Sequence, residues 1–417
     1  KQLLGTPRHT HPWRTSPPTS SRKRSSTMAR RTRDHLRFGV FSAPFHLPIG
    51  RNPNLLIHRD IALAEHLDRL GYDELWMGEH HSIGAEIIGD PLLFLSHIAA
   101  RTTNIKLASG VISLPYHNPL LLADRFALLD HITRGRVILG IGPGALTTDA
   151  HMIGLEQTTQ REAFAEDAQV LVDLLNGEWV TAKTPRYTLE DAHLHLSPYS
   201  DFDMAVAGTG TPTGPRIAGR HGIGLLTLGA TSAAKKSDTV LSGAWDTYTT
   251  EAAKAGHTPD RDGWRLVGYA HIAETEEQAR HDVRHGIDAF FDYLQYTQAS
   301  AYYGDMGIAT TDERIQYVID TGMGVIGTPQ QAIDQITHIQ EQTKGGFGAF
   351  LLGHHEWANW PATLRSYELF AEHVTPHFQG QLHAPLTSKK WSEDNRDQLS
   401  HGQKISIARA LGQPDPA

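Results

Sequence analysis

Leu75-Trp-Met-Gly-Glu-His-His81, Ser109-Gly-Val-Ile-Ser-Leu-Pro-Tyr-His-Asn-Pro119 and Gly135-Arg-Val-Ile-Leu-Gly-Ile-Gly-Pro-Gly144 share one pattern. In each, a short apolar, largely β-branched or leucine-rich run ends abruptly in glycine and polar residues, and helical spacing follows. A strand that delivers polar residues at its C-terminal end and then returns through a helix is the βα unit of a parallel barrel. The polar residues that end such strands are the first place to look for chemistry.

Working outward, the same alternation covers most of the chain. Leu36–Phe41 reads as a first strand and Ile57–Leu70 as a helix. Glu74–Met77, Lys106–Gly110 and Arg136–Gly140 follow as strands, with helices over Pro91–Ala100 and Pro119–Thr133 between them. Asp203–Ala207, Gly224–Thr227, Trp264–Ile272 and Ala349–Leu352 complete a set of eight. Thr159-Gln-Arg-Glu162, Thr275-Glu-Glu-Gln278 and Thr328-Pro-Gln-Gln331 are spaced as capping boxes that open helices. The fold class is therefore α/β: a single (β/α)8 TIM-type barrel over residues 36–385, with an insertion before the last helix–strand unit. That insertion, Thr297–Gly327, is long for a connection. Its Gly304, Gly307, Gly322 and Gly324, with Tyr302, Tyr303 and Tyr317, suit a lid.

Residues 1–35 hold nine Lys/Arg against Asp34 alone. They lack apolar periodicity and are expected to be a disordered arm, with Met28 as the natural start. Residues 386–417 read as a polar, disordered tail. The acidic excess sits in the remainder of a chain whose net charge is −8, a poor footprint for nucleic acid. With no cysteine there is no disulfide framework, thiolate nucleophile or cysteine-held metal. No run approaches the roughly 18 apolar residues of a spanning helix, so no membrane association is expected and the cytoplasm is the default compartment.

Histidine titrates near neutrality, so Glu79, His80 and His81 at a strand end are candidates for acid–base work, although any one of 26 histidines could simply be hydrogen-bonded. His354-His355-Glu356 forms a second cluster after the eighth strand. Neither cluster has the i, i+4 histidines of a helix-borne zinc site, and metal hydrolysis is the weaker alternative. Gly140-Ile-Gly-Pro-Gly-Ala145 formally matches a dinucleotide-binding turn but lies in the fourth unit of a barrel series. Ala207-Gly-Thr-Gly-Thr-Pro-Thr-Gly-Pro215 has the glycines, threonine hydroxyls and following helix of a phosphate cradle.

Taken together, these stretches resemble the luciferase-like flavin monooxygenases, and among them the limonene monooxygenase-like branch, over Leu36 to about His377. The resemblance implies an FMN-dependent enzyme that uses reduced flavin and O2 to oxygenate a small apolar molecule such as limonene or an alkanal. It puts His80 at the catalytic position, with His81 and Glu79 beside it. It assigns Ser109, Gly110 and Val111, the last two joined by a cis peptide, with Gly142, Gly144 and Asp149, to the flavin ring. An arginine of the family's phosphate site is replaced here by Pro143, which leaves the phosphate to Ala207, Gly208, Thr209, Gly210, Thr211, Thr213 and Gly214. Phe41, Phe45, Trp76, Leu114 and Tyr116 are candidates for the apolar wall. Also implied are a homodimer formed through the helices over Pro91–Ala100 and Pro119–Thr133 and a separate NAD(P)H:flavin reductase. Two alternatives stay open: a deazaflavin-dependent hydride-transfer enzyme and a non-catalytic flavin-binding protein.

Overall fold

The computed structural model describes residues 35–43, 45–47, 50–208, 211–230, 237, 239–297 and 308–416. Eight parallel strands close on themselves: β1 (Arg37–Ser42), β2 (Glu74–Met77), β3 (Lys106–Ser109), β4 (Val137–Gly142), β5 (Asp203–Gly208), β6 (Gly224–Thr227), β7 (Trp264–Ile272) and β8 (Ala349–Gly353). The register runs Val40↔Leu75, Trp76↔Ala108, Ala108↔Ile138, Ile141↔Val206, Val206↔Leu225, Leu226↔Arg265 and Leu266↔Phe350, and Phe350↔Phe38 closes the ring. These are the eight strands expected from the sequence.

Side chains alternate along each strand, as a pleat requires. Phe38, Val40, Leu75, Met77, Leu107, Val137, Leu139 and Ile141 join the large core with the outer helices. Trp76, Ala108, Ile138, Ala205, Leu226, Val267, Ala349 and Leu351 fill the barrel itself. The helices begin where their caps dictate. In α1 (Pro53–Leu70), α2 (Pro91–Ala99) and α3 (Pro119–Thr133), an Asn or Asp side chain accepts from the first turn and proline stands at the start.

Several local expectations are corrected. Thr159 does not cap α5 (Gln160–Leu175): its backbone is helical (φ −99°, ψ −4°) at the end of a 3-10 turn, and its hydroxyl donates to Glu156 O. A cap needs an extended residue, so the box pattern is idle here, whereas Thr328 and Gln331 form theirs. Asp149 lies on a short helix, α4 (Thr147–Ile153), rather than in irregular chain. Residues 386–410, expected to be disordered, fall in two largely exposed helices, His383–Asp394 and Arg396–Ala410. Lys389–Glu393 and Lys390–Asp394 pairs lie along the first of them.

The insertion is also more regular than expected. A capping box at Thr310 and Glu313 opens the helix Thr311–Asp320, and Gly324–Gly327 is a further parallel strand, on the distal half of β7. Tyr317 packs edge-on against Phe291, and a Cβ at Gly324 would lie 2.9 Å from that of Tyr269. These residues are packed structure, not lid hinges. Tyr302, Tyr303, Gly304 and Gly307 lie outside the described residues, as do 1–34 of the arm.

At the N-terminal end of the barrel, Arg265 has no exposed side-chain surface. It donates to both oxygens of Glu74, at 2.8 and 3.1 Å, and to Asp203 at 2.7 Å. Arg37 and the Trp76 indole N–H also donate to Glu74. Burial alone would raise the Glu74 carboxyl, but Arg265 and Arg37 hold it down at about 2. This contribution is complete above about pH 4.5, the carboxyl's ordinary value, and is lost as pH falls toward 2. Glu74→Gln leaves Asp203 as the charged partner of a buried guanidinium and is expected to cost about 3 kcal/mol, read as a lower denaturation midpoint at neutral pH. Much of the difference from the parent should vanish near pH 2.

Candidate active site

Because β2 ends at Met77, Gly78 to His81 emerge at the C-terminal rim. Glu79 is buried and turned toward the loop after β3. Its Oε2 accepts from Ser113 N (2.6 Å), and its Oε1 lies 2.6 Å from His117 Nε2 and 3.3 Å from His81 Nε2. Burial would raise this carboxyl, but the bonds to His117 and His81 win and lower it. His81 is raised chiefly by its bond to Glu79, against the opposing effect of burial.

His80 points the other way. Its Nδ1 lies 3.1 Å from Asp149 Oδ2, and its Nε2 lies 3.2 Å from Glu86 Oε2. Asp149 is 1 % exposed and uses its second oxygen to accept from His81 N (3.1 Å) and Ser82 Oγ (2.5 Å). Burial disfavours charge on the His80 ring, but Glu86, Asp149 and Glu79 outweigh it and raise its affinity for a proton. Asp149 shifts down in step, through His80 and Ser82, although burial opposes this. The result is an imidazole hydrogen-bonded at Nδ1 and in ionic contact at Nε2, with 18 % of its side chain open to the rim.

Beside it the rim is nearly bare backbone. The peptide between Gly110 and Val111 is cis. Gly142 lies against Val111 and Ala207: a Cβ on Gly142 would come within 2.8 Å of Val111 Cγ2. Val111, Gly142 and Ala207 thus pack together at three neighbouring strand ends, where small residues leave the backbone close to the rim. At the end of β5, Gly208 leads toward α6 (Thr213–His221), whose Gly214 sits so close that a Cβ would lie 2.6 Å from Ala207 O. That approach brings Thr211, Thr213 and the first free N–H groups of the helix to the rim, a donor set that fits a phosphate. Thr209 and Gly210 lie outside the described residues.

The remaining expected residues separate. Ser109 is fully buried and its hydroxyl is exchanged with Gly140, donating to O at 2.9 Å and accepting from N at 3.0 Å, so it ties β3 to β4. Gly144 lies under Tyr116 and Gln160. Of the five wall candidates, Phe41 and Tyr116 are partly exposed at the rim. The Tyr116 phenol, pushed up to about 12 mainly by burial, stays protonated. Trp76 is not a wall residue: it fills the barrel and donates to Glu74. Leu114 belongs to the outer core, and Phe45 packs on Phe290 and Tyr293. His354 and His355 are committed elsewhere, to the Tyr367 hydroxyl and to Ala270 O, and burial keeps both low in proton affinity. Among the described residues no three His, Asp or Glu side chains are set to hold a metal ion.

Sequence reasoning missed His117, Ser82, Glu86, Tyr293 and Gln160. His117 sits in the rim loop after β3 and could have been found from its place in a quoted stretch. Tyr293, 207 residues from Glu86, carries no such signal.

Comparison with known proteins finds relatives over most of the chain. The family described as luciferase-like monooxygenase matches residues 36–343. Limonene 1,2-monooxygenase of Rhodococcus erythropolis is 48% identical over 345 residues, 83% of this chain and 87% of the relative. Among solved structures, the oxygenating constituent of the Pseudomonas putida 3,6-diketocamphane monooxygenase, a type II Baeyer–Villiger enzyme in complex with FMN, superposes with a TM-score of 0.68 at 24% identity. The match covers 82% of this chain and 98% of that one. An F420-dependent secondary alcohol dehydrogenase superposes with a TM-score of 0.62 at 18% identity, covering 81% and 98%. At these identities the two superpositions speak for the fold.

Glu79→Gln keeps the shape but removes the charge that His81 shares with His117. The His81 titration, followed by NMR, is expected to fall to lower pH, because its bond to Glu79 is what chiefly raises it. An unchanged titration would show that Glu79 does not govern this histidine.

Proposed function

The chain belongs to the luciferase-like monooxygenase family and is an oxidoreductase that incorporates one oxygen atom; from that premise we propose that its cofactor is reduced FMN and its substrate a small apolar molecule of the limonene or alkanal kind. The observation that carries this reading is the His80 ring, set between two buried carboxylates beside the small residues of three strand ends.

Val111, Gly142, Gly144 and Ala207, with the Gly110 backbone, would hold the flavin ring. Gly208 to Gly214, including Thr209, Gly210, Thr211 and Thr213, would hold its phosphate where Pro143 supplies no charge. Bound reduced flavin supplies the electrons that activate O2. The protein orients, excludes water and manages protons. His80 is the acid–base group: Asp149 fixes Nδ1, so the proton that moves is the one at Nε2. Glu79 and His81 support it from the loop after β3. Phe41 supplies apolar surface, and the Tyr116 hydroxyl, protonated throughout the working range, supplies a donor at the edge.

A deazaflavin reading has one observation in its favour, the likeness of the barrel to an F420-dependent dehydrogenase. Incubating the protein with limonene, O2 and either reduced FMN or reduced deazaflavin separates the two. Oxygenated product with FMN alone is expected. His80→Ala, at a partly open rim position, should leave the fold intact and lower turnover by roughly two orders of magnitude. Equal turnover in mutant and parent would remove His80 from the mechanism.

In this reading reduced flavin is delivered by an NAD(P)H:flavin reductase in the cytoplasm, and the enzyme is a homodimer. Leu93 on α2 and Leu121, Leu128 and Ile132 on α3 are each more than half exposed, an apolar patch that a second copy would cover. Sedimentation at micromolar concentration should give a dimer. Leu93→Glu with Leu128→Glu should give monomers, whereas a monomeric parent would overturn this part.

A further inference from the structure

Glu86 belongs to no motif in the sequence, yet it closes the site on the side of His80 away from Asp149. It is 4 % exposed. Its Oε2 lies 3.2 Å from His80 Nε2 and has no hydrogen bond of its own. Its Oε1 accepts from the hydroxyl of Tyr293, on the helix Ile287–Tyr296. Burying a carboxylate is costly unless its oxygens are matched, and here one oxygen is matched by a phenol and the other faces the imidazole.

The position of this carboxylate is fixed from three sides. The Tyr293 ring packs edge-on against Phe45, with centroids 4.9 Å apart. Phe45 and Glu86 form an isolated antiparallel bridge, and His46 N donates to Ala85 O at 2.9 Å. The far end of that loop is pinned by Leu47 N donating to Glu356 Oε2 (2.7 Å) and by His46 Nε2 against Asp60 Oδ2 (2.9 Å). Chain leaving β1, β2 and β8, together with the Tyr293 helix, thus converges on one side chain.

We propose that Glu86, oriented by the Tyr293 hydroxyl, is a positioning residue for the oxygenation: it holds Nε2 of His80 while Asp149 holds Nδ1, and so keeps the ring protonated and in one orientation until substrate displaces the Glu86 contact. The charged groups facing His80 are Asp149 from α4, Glu86 from the loop after β2, and Glu79 and His81 from its own strand end. Among the described residues, Glu86 and Asp149 are the carboxylates that approach its ring nitrogens. The catalytic side of this inference rests on the acid–base role given to His80 above.

The test is NMR of the full-length protein carrying 15N-labelled histidine. In the parent, both ring nitrogens of His80 should carry protons at neutral pH, and a neutral tautomer there would overturn the proposal without need of any variant. In Glu86→Gln, whose amide oxygen can still accept from Tyr293, the His80 titration should fall by about one pH unit or more, whereas Glu86→Asp should recover most of the shift. No shift in Glu86→Gln overturns the proposal. The pH profile of turnover gives the second arm: activity needing the protonated ring is lost as pH rises, so the alkaline limb should move to lower pH in Glu86→Gln by the same amount. If the NMR titration moves and the limb does not, Glu86 still holds the ring and the acid–base role of His80 fails.

Discussion

At the closed end of the barrel the Arg265 guanidinium, cut off from water, is held by both oxygens of Glu74 and by Asp203. β7, β2 and β5 are thereby tied across the interior, and Arg37 adds β1. A buried cation leaves these strands little choice of register, because a slip would separate it from its carboxylates and turn every apolar side chain to the wrong face. Trp76, two residues beyond Glu74, must then point inward, while Leu75 and Met77 must point to the helices. The rim inherits this geometry. Glu79 and His80 leave the strand end on opposite sides because the strand below them has a settled phase.

The rim repeats the floor's problem with weaker cations. Glu79, Glu86 and Asp149 are all nearly without exposed surface, and what faces them is histidine: His81 and His117 at Glu79, His80 between the other two. An arginine would neutralise these carboxylates permanently. Histidine neutralises them only while protonated, so the charge balance of the site is tied to a proton that can leave near physiological pH. A structural ion pair at one end of the barrel and an exchangeable one at the other follow from one rule, that buried charge must be paired.

Much of the fold was legible because strand ends carry a local signal. Seven of the eight barrel strands are apolar runs closed by glycine or a polar residue, and the run and its end lie within ten residues of one another; β7 ends instead at Ile272-Ala273. Failures occurred where a choice is made by distant residues. Thr159 has the letters of a cap, but a preceding 3-10 turn takes its backbone into the helical region. Trp76, Leu114 and Phe45 look like wall residues, yet strand phase and loop packing bury them. Gly324–Gly327, with glycine at both ends, does not read as a strand until β7 extends beyond the barrel to pair with it. Glu86 was invisible because its meaning depends on Tyr293 and His80, which meet it only in the folded chain.

If reduced FMN, O2 and an apolar molecule meet at the rim beside His80, as proposed, one oxygen atom must enter the organic product. The most direct measurement is a single turnover of the FMN-loaded, anaerobically reduced protein with limonene and 18O2, followed by mass spectrometry of the organic product. The account predicts one 18O atom per product molecule, with the yield collapsing in His80→Ala. Product that carries no label, or equal labelling in mutant and parent, would contradict it.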